Sequence, residues 1–560
     1  MLLLKAYILL FLSANLIFIS GFVFKKIFLK DLEKNILITG ILGIFFLSII
    51  ALFINFFYPL SILINTIIVV IILIIFFAKT NKVSIKNILI YSSIVSLISF
   101  IIIIFDTVYR PDAGLYHLPF TKIINDHKII LGINHLEFRY GHTSILQYLA
   151  AINNNYIFFD VGILLPLSFF FSIPVVFIFE KIFSEKNNIY RYLSFLFLFC
   201  IIYEMNRYGE FGNDTPAHIL FLLTIIIFLR NDKKLLEISN NYKIVATFSI
   251  FIFFIKSTLF FILLLPLYYI LIEKKFYLIK LKYNLLLIFF IFLWSFKNFL
   301  ISSCLIYPLS FTCSPDVLWS SYHMYTQAHP DFVTKLTEAW SKDIPNNTKN
   351  IGIDNYIKNF NWLGTWITNH FLKIVERLSP LLIILLILII FKSRYFSKRD
   401  FEANKNKIKF LLIINVLGLI YWFIKFPTFR YGKSYIICSL IFAFIILINF
   451  FYKKVKIEKN FFKIVLVLCS VIFIAKNFKR IYLNYNNEYT NYPFPEIFII
   501  DNSGKIENHI PITRDNKIEF YKTINSNLCM YGESPCSCCA ADIDKIKIYQ
   551  IYSYKIFSIK

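Results

Sequence analysis

Asp112 is a carboxylate held on a turn. Pro111 precedes it and Gly114 follows, within FDTVYRPDAGLYHLPFTKIINDHKIILGINHLEFRYGHTSILQYLAA. A carboxylate so placed can take a proton from a hydroxyl as a general base, or help hold a divalent cation. The plainer alternative is a turn former, as Asp after Pro often is. His117, Arg139 and His142 follow in the same stretch. Such groups can hold a phosphate and stabilise the charge it gains on leaving, or face lipid without specificity. Lys256 and Lys297 interrupt apolar runs, and Arg430 and Lys433 lie in KFPTFRYGK. A cation at membrane depth is costly unless paired, solvated or able to reach the interface. These four are therefore phosphate-binding candidates, with snorkelling as the alternative. EMNRYGEFGNDTP, 204–216, adds Arg207 as a further basic candidate and Glu204, Glu210 and Asp214 as candidates for a second acid. The same residues can cap helix ends with salt bridges, and Asp214-Thr215-Pro216 reads as a helix start. Asp106 reads as a helix-end residue.

The elements that position these groups are membrane spans. The chain has 560 residues, 58% of them apolar, and a mean hydropathy of +0.67. Those values exclude a soluble enzyme, a disordered chain and a nucleic-acid-binding domain. About fourteen apolar spans are predicted, at 2–24, 36–57, 59–78, 87–105, 161–179, 192–203, 217–229, 244–255, 258–272, 285–302, 378–391, 410–424, 434–451 and 464–476. The short ones extend into polar flanks or sit as broken helices. The formal charge of +25 is mainly an orientation signal. The alternate loops 25–35, 79–86, 180–191, 230–243, 273–284, 392–409 and 452–463 carry 30 Lys and Arg against 10 acids in 87 residues. The opposite loops 106–160, 204–216, 303–377 and 425–433 carry only 14 Lys and Arg in 152 residues. The first set is read as cytoplasmic, which puts both termini outside. Ten of the 15 glycines fall in the opposite loops and tail, and none in the basic loops. Shaped surface, and hence chemistry, is expected on the outer face.

The chain divides into N-terminal spans (1–105), an outer loop with the candidate carboxylate (106–160), spans (161–302), a second outer loop (303–377), C-terminal spans (378–476) and a small β-rich tail (477–560). In the first outer loop, Pro119 opens a helix with Phe120, Ile123, Ile124 and His127 at helical spacing. A second helix starts at Thr143 or Ser144, with Ile145, Leu146, Leu149 and Ile152 on one face. Both are expected to lie in the membrane interface. In the second loop, Trp319, Trp340, Trp362 and Trp366, with Tyr322, His323 and Tyr325, are read as interface anchors. Aromatic faces can also stack on sugar rings. The tail shows a hairpin signal around Asn502-Ser503-Gly504 and alternation in KIKIYQIYSYKIFSI. Cys529, Cys536, Cys538 and Cys539 suit at least one disulfide, most simply from Cys529 to one of the later three, and Cys304 with Cys313 is a second candidate pair. Cys200, Cys438 and Cys469 read as core residues. A zinc site would want paired CxxC spacing, which CMYGESPCSCC does not supply. No Walker A, GxGxxG, HExxH or GxSxG context is present.

A carboxylate in a large outer loop, then interfacial helices, then many spans, resembles the GT-C superfamily of membrane glycosyltransferases. Asp112-Ala113-Gly114-Leu115-Tyr116-His117-Leu118-Pro119, then Arg139-Tyr140-Gly141-His142, is similar to bacterial polytopic proteins related to that superfamily. Lys297-Asn298 with Tyr307-Pro308, Arg430-Tyr431-Gly432, and Cys529 with Pro535-Cys536 resemble their later landmarks. The resemblance implies an all-α polytopic fold of about 12–14 transmembrane helices with a small β-rich outer domain. It implies a multi-pass protein of the bacterial inner (plasma) membrane with both termini periplasmic. A sugar would pass from a polyprenyl-phosphate donor to a glycan, lipid or protein acceptor, with Asp112 as base or as ligand of a divalent cation, Mg or Mn. Here Asp112 follows the fourth span rather than the first of the module and has no adjacent acid, which leaves the metal open. Other readings are a polysaccharide polymerase or ligase relying on Arg and His, a transporter or lipid-linked glycan flippase, and a non-catalytic assembly protein. No nucleic-acid partner is expected.

Overall fold

The computed structural model describes residues 2–29, 35–79, 82–106, 111–184, 188–206, 211–230, 234–322, 326–345, 352–390, 398–451, 459–485, 493–498, 509–514, 517–524, 528–537 and 545–559. The protein is mostly helical, with a small C-terminal group of strands. Among the described residues nine helices are long and apolar enough to cross a membrane, the architecture of a multi-pass membrane protein.

The first four helices are α1 (Leu2–Phe28), α2 (Ile36–Asn55), α3 (Ile62–Lys79) and α4 (Lys82–Ile103). Asn35 caps α2, its side-chain oxygen accepting from the Leu37 and Ile38 N–H groups at 3.0 Å each. Lipid supplies no hydrophobic drive between spans, so close backbone approach through small residues does the work. A Cβ added to Gly21 would lie 1.8 Å from the Thr39 carbonyl oxygen, and one added to Gly43 would lie 1.9 Å from that of Ile17. α1 and α2 are thus joined by a glycine seam.

Next come α5 (Leu118–Asp126) and α6 (Ile145–Ile152). Pro119 sits in the first turn of α5, where its missing N–H costs nothing, and the Ser144 hydroxyl caps α6 by accepting from Leu146 N–H at 3.3 Å. Every residue of α6 is buried. It is therefore an internal packing element rather than the interfacial helix expected, because α2, α5 and α7 close around it. α5 keeps only Lys122 and Asp126 toward the surface, joined as an i, i+4 pair.

The bundle continues through α7 (Leu165–Ser184), α8 (Asn188–Glu204), α9 (Asp214–Phe228) and α10 (Leu235–Ile255). Much of the expected loop 230–243 is the start of α10, since Leu, Glu and Lys favour helix beyond the apolar core. Beyond an extended Lys256, the chain runs as a tight turn, a short α11 (Leu264–Leu267) and a wide turn ending at Ile272. Pro266 removes one N–H there, and the expected span is a broken helix. Then follow α12 (Lys282–Ser302), α13 (Pro330–Ser341), α14 (Ile353–Ile357), α15 (Leu363–Trp366), α16 (Leu372–Ile390), α17 (Lys398–Lys425), α18 (Phe429–Phe451) and α19 (Lys459–Tyr485). The second expected loop is thus a folded layer. Of the fourteen expected spans, those not among the nine correspond to α8, α9, the broken segment, α16 and α19.

In the tail, β1 (Ile510–Arg514), β2 (Lys517–Lys522) and β3 (Cys536–Ser537) form one sheet, with β1 and β2 antiparallel and β2 and β3 parallel. β4 (Ile546–Ile551) and β5 (Tyr554–Ile559) form a separate hairpin. The hairpin expected around 502–504 lies outside the described residues, as do Cys538 and Cys539. Disulfides join Cys304 to Cys313 and Cys529 to Cys536, while Cys200, Cys438 and Cys469 are buried thiols. The tail is woven into the 111–163 segment. Leu131 bonds through its backbone to Lys555 and Phe557, and Tyr140 Oη donates to the Cys536 carbonyl at 2.6 Å. Tyr531 Oη donates to Asn125 Oδ1 and accepts from Asn154, each at 2.9 Å.

Gly43→Ala is expected to cost about 1–3 kcal/mol or more by overpacking the glycine seam. This would be read as a lower thermal-unfolding midpoint of the purified protein in detergent. Gly364→Ala, where an added Cβ meets nothing within 4 Å, should leave the midpoint unchanged.

Candidate functional site

Four separate parts of the chain deliver charged side chains to one end of the helix bundle. Asp112 enters from the helical turn that follows Pro111, and Asp214 from the first turn of α9. Lys256 stands on the extended break after α10, and Arg430 in the first turn of α18, shortly after Pro427. The proline and the broken helix thus do specific work: they end apolar helices where a polar side chain must emerge.

Arg430 is the hub. Its Nη1 donates to Asp112 Oδ2 at 2.9 Å across a sequence separation of 318, and its Nη2 donates to Tyr431 Oη at 2.8 Å. Its Nε lies 3.8 Å from Asp214 Oδ2 and is a buried donor without a hydrogen-bond acceptor among the described residues. The guanidinium also lies over two rings, 4.8 Å from the Tyr431 centroid and 4.9 Å from that of Trp340. Lys256 Nζ pairs with Asp214 Oδ1 and sits 4.0 Å from the Tyr431 ring centroid. The two carboxylates thus offset the two cations, as charges at the edge of an apolar bundle require. Asp214 gains further from the positive end of α9, whereas Arg430 at the start of α18 needs its acids and rings to offset that helix's dipole. Asp112 is the most open of the four, its side chain 32% exposed against 8% for Lys256.

Two histidines support this cluster as neutral groups. His218, one turn beyond Asp214, is fully buried, with Nε2 2.7 Å from the Arg430 carbonyl oxygen and Nδ1 2.5 Å from Ser434 Oγ. A carbonyl oxygen only accepts, so Nε2 carries the proton and Nδ1 accepts from the Ser434 hydroxyl. His218 thereby ties the helix bearing Asp214 to the helix bearing Arg430. His117 was expected to contact phosphate as a basic residue. It is buried, Gln147 Nε2 donates to its Nδ1 at 2.5 Å, and burial lowers its pKa to about 4 against the opposing pull of Asp112 and Asp214. It is neutral at neutral pH and serves as a hydrogen-bonding group. Tyr116 packs on it at 4.1 Å, and its hydroxyl is held protonated by burial and then by the Asp112 carboxylate.

Other expected site residues lie elsewhere. Arg139 pairs with Glu137 at 2.7 Å and lies over the Phe138 ring. His142 packs 5.2 Å from the Tyr307 ring, its pKa lowered to about 4 by burial and then by Arg139. Lys297 is fully buried, donating to Thr143 Oγ1 at 3.1 Å, with its ammonium 3.6 Å from the Trp294 ring centroid. His142 thus meets the loop closed by Cys304–Cys313, Lys297 reaches the residue after His142, and Arg139 pairs with Glu137 rather than with Asp112. Lys433 is buried beside Phe429 on the His218 side of α18. Glu204 ends α8 near Cys200 rather than joining Asp112, and Arg207 and Glu210 lie outside the described residues. Asp106 faces Arg480 at 3.8 Å, both buried.

The tryptophans correct the interface-anchor reading. Trp362 and Trp366 are buried, with Trp366 Nε1 donating to the Pro427 carbonyl at 2.6 Å, and Trp319 Nε1 donates to the Phe299 carbonyl at 3.0 Å. Indoles fill the second loop's own core because that loop is folded. Only Trp340 of the four is largely exposed, beside Arg430. His323 and Tyr325 lie outside the described residues.

Among the described residues no three His, Cys, Asp or Glu side chains gather where a metal ion could sit. Asp112 and Asp214 are already engaged by Arg430 and Lys256, so the described residues do not fit a divalent cation. Residues that sequence reasoning missed are His218, Tyr116, Tyr431 and Gln147. A histidine four residues after Asp214 in an otherwise apolar run was the available signal for the first.

The fold and the site together define a polytopic helical membrane protein with a charge-balanced polar cluster at its helix ends. Residues 1–437 match the family described as "Domain of unknown function (DUF8201)", and the chain belongs to that family. The match includes Asp112, Asp214, Lys256 and Arg430 and leaves α19 and the strands outside it. No curated protein and no solved structure matches the chain.

Burial of His117 couples stability to pH. Its folded pKa of about 4 lies below the ordinary 6.5, so between those values the unfolded chain binds the proton more readily. The stabilisation is complete above pH 6.5 and is lost as pH falls toward 4. His142 contributes with the same sign. Thermal midpoints measured from neutral pH down to the acid limit should fall, and His117→Gln should flatten that fall.

Proposed function

We propose that this chain is a GT-C-like integral membrane glycosyltransferase that moves a sugar from a polyprenyl-phosphate donor to a glycan, lipid or protein acceptor. The observation that carries the proposal is the Arg430 hub: a carboxylate from a loop, a second from α9 and a lysine from the α10 break converge on one guanidinium. Such an arrangement offers cations for a phosphate and an open carboxylate for a hydroxyl.

Asp112 holds Arg430 through Oδ2. A donor phosphate would compete for that guanidinium, for its acceptor-less Nε and for Lys256. Asp112 would then be released to act as base. The acceptor oxygen forms a bond to the anomeric carbon as the bond from that carbon to the phosphate oxygen breaks. The acceptor proton passes to Asp112. The electron pair leaves with the phosphate, whose added charge Arg430 and Lys256 stabilise. Tyr116, kept protonated, and neutral His117 can donate to the substrates. No step runs through a metal.

The outer face of the bacterial inner membrane is the proposed location. The distribution of basic residues supports it, as do the two disulfides, which lie in segments read as outer and need an oxidising compartment to persist. A reporter active only outside the cytoplasm, fused after Lys560, should be active. An inactive one would reverse the orientation.

Asp112→Asn should reduce glycosyl transfer by at least about 100-fold, with normal membrane levels and donor binding retained. Unimpaired transfer would remove Asp112 from the base role. Transfer that survives Asp112→Asn but fails in Arg430→Gln would instead favour a polymerase or ligase. Movement of a labelled lipid-linked glycan between leaflets with no covalent product would point to a flippase.

A further inference from the structure

We propose that Trp340 is the platform on which the donor's sugar ring stacks, a subsite for the apolar face of a hexose or pentose beside the phosphate-binding Arg430. The assignment rests on the reading of this cluster as a site for a glycosyl phosphate. In such a donor the sugar is one bond from the phosphate, so a ring-sized apolar surface must lie next to the cation that holds the phosphate. Trp340 supplies that surface. Its ring centroid is 4.9 Å from the Arg430 guanidinium carbon, yet the residue remains 52% exposed. An indole offers an apolar face to sugar C–H groups and a polar N–H to a hydroxyl.

Four other tryptophans are already spent. Trp319, Trp366 and Trp422 donate their N–H groups to the carbonyls of Phe299, Pro427 and Thr428, and Trp362 is buried against Trp366 and Phe423. The Trp340 N–H donates to no protein acceptor among the described residues. The backbone beneath the ring is held from both sides. Glu338, two residues earlier, joins Lys342 at 2.6 Å and Lys425 at 3.0 Å, and the Ser341 hydroxyl donates to the Lys425 carbonyl at 3.2 Å. A side chain that is open on a braced helix end can bind without first being ordered.

The test uses purified full-length protein in nanodiscs and measures affinity for farnesyl phosphate and for a panel of farnesyl-phosphate-linked hexoses and pentoses. Trp340→Leu keeps an apolar side chain but loses the flat face. It should weaken the glycosylated probe that the wild type prefers by roughly tenfold, leaving farnesyl phosphate within about twofold. Trp340→Phe should restore most of that loss. Equal weakening of both probes would assign Trp340 to interface anchoring or to holding Arg430, and would overturn the platform. So would an unchanged Leu variant, or a wild type that binds farnesyl phosphate but gains nothing from any sugar. A wild type that binds none of these lipids would overturn the glycosyl-phosphate reading itself and the platform with it.

Discussion

A charge at the edge of an apolar bundle is costly unless something offsets it, and the structure around Arg430 follows from that constraint. The half-buried Arg430 guanidinium is met by two carboxylates from different segments, and the second also pairs with Lys256. Each charge then fixes a helix end. α9 must begin at Asp214, α10 must stop before Lys256, and α18 must start just ahead of Arg430. The extended backbone at Lys256, between α10 and the broken segment, carries the ammonium that meets Asp214. Polar balance and helix boundaries are thus one problem solved together.

The spans were legible because apolar length is a direct physical signal, and Asp112, Asp214, Lys256 and Arg430 stood out because charge beside such runs is costly. Their convergence was not legible. Nothing in the spacing of residues 112 and 430 says which helices pack, and the same logic that gathered these four also nominated Arg139, His142 and Lys297, which find other partners. The state of His117 was hidden for a related reason. A histidine's charge depends on its burial, and the burial of this one comes from Gln147 and the α6 region, elements that looked interfacial when only their own periodicity was considered. Trp362 and Trp366 were misjudged likewise, because a segment that reads as a loop builds its own small core.

The 111–163 segment depends on residues near the end of the chain. Met530 N–H donates to the Gly114 carbonyl at 3.0 Å, two residues from Asp112, and a Cβ on Gly114 would lie 2.6 Å from the Met530 sulfur. His127 meets the Ser534 carbonyl at 3.3 Å, and the Ser534 hydroxyl donates to Asp126 at 2.6 Å. The strip from Met530 to Cys536, closed by the Cys529–Cys536 disulfide, lies along the first outer loop as a clasp. The helical bundle supplies Arg430, and the tail sets the backbone that presents Asp112.

The Met530–Gly114 hydrogen bond also orders events in time. A ribosome delivers Gly114 well before Met530, so until Met530 has emerged the turn bearing Asp112 lacks the segment that will hold it. The helices can insert and pair as they emerge, since α1 and α2 need only each other to form their seam. The turn that presents Asp112 gains this hydrogen bond only when Met530 has been made and has folded back. That turn therefore waits on the segment around Met530.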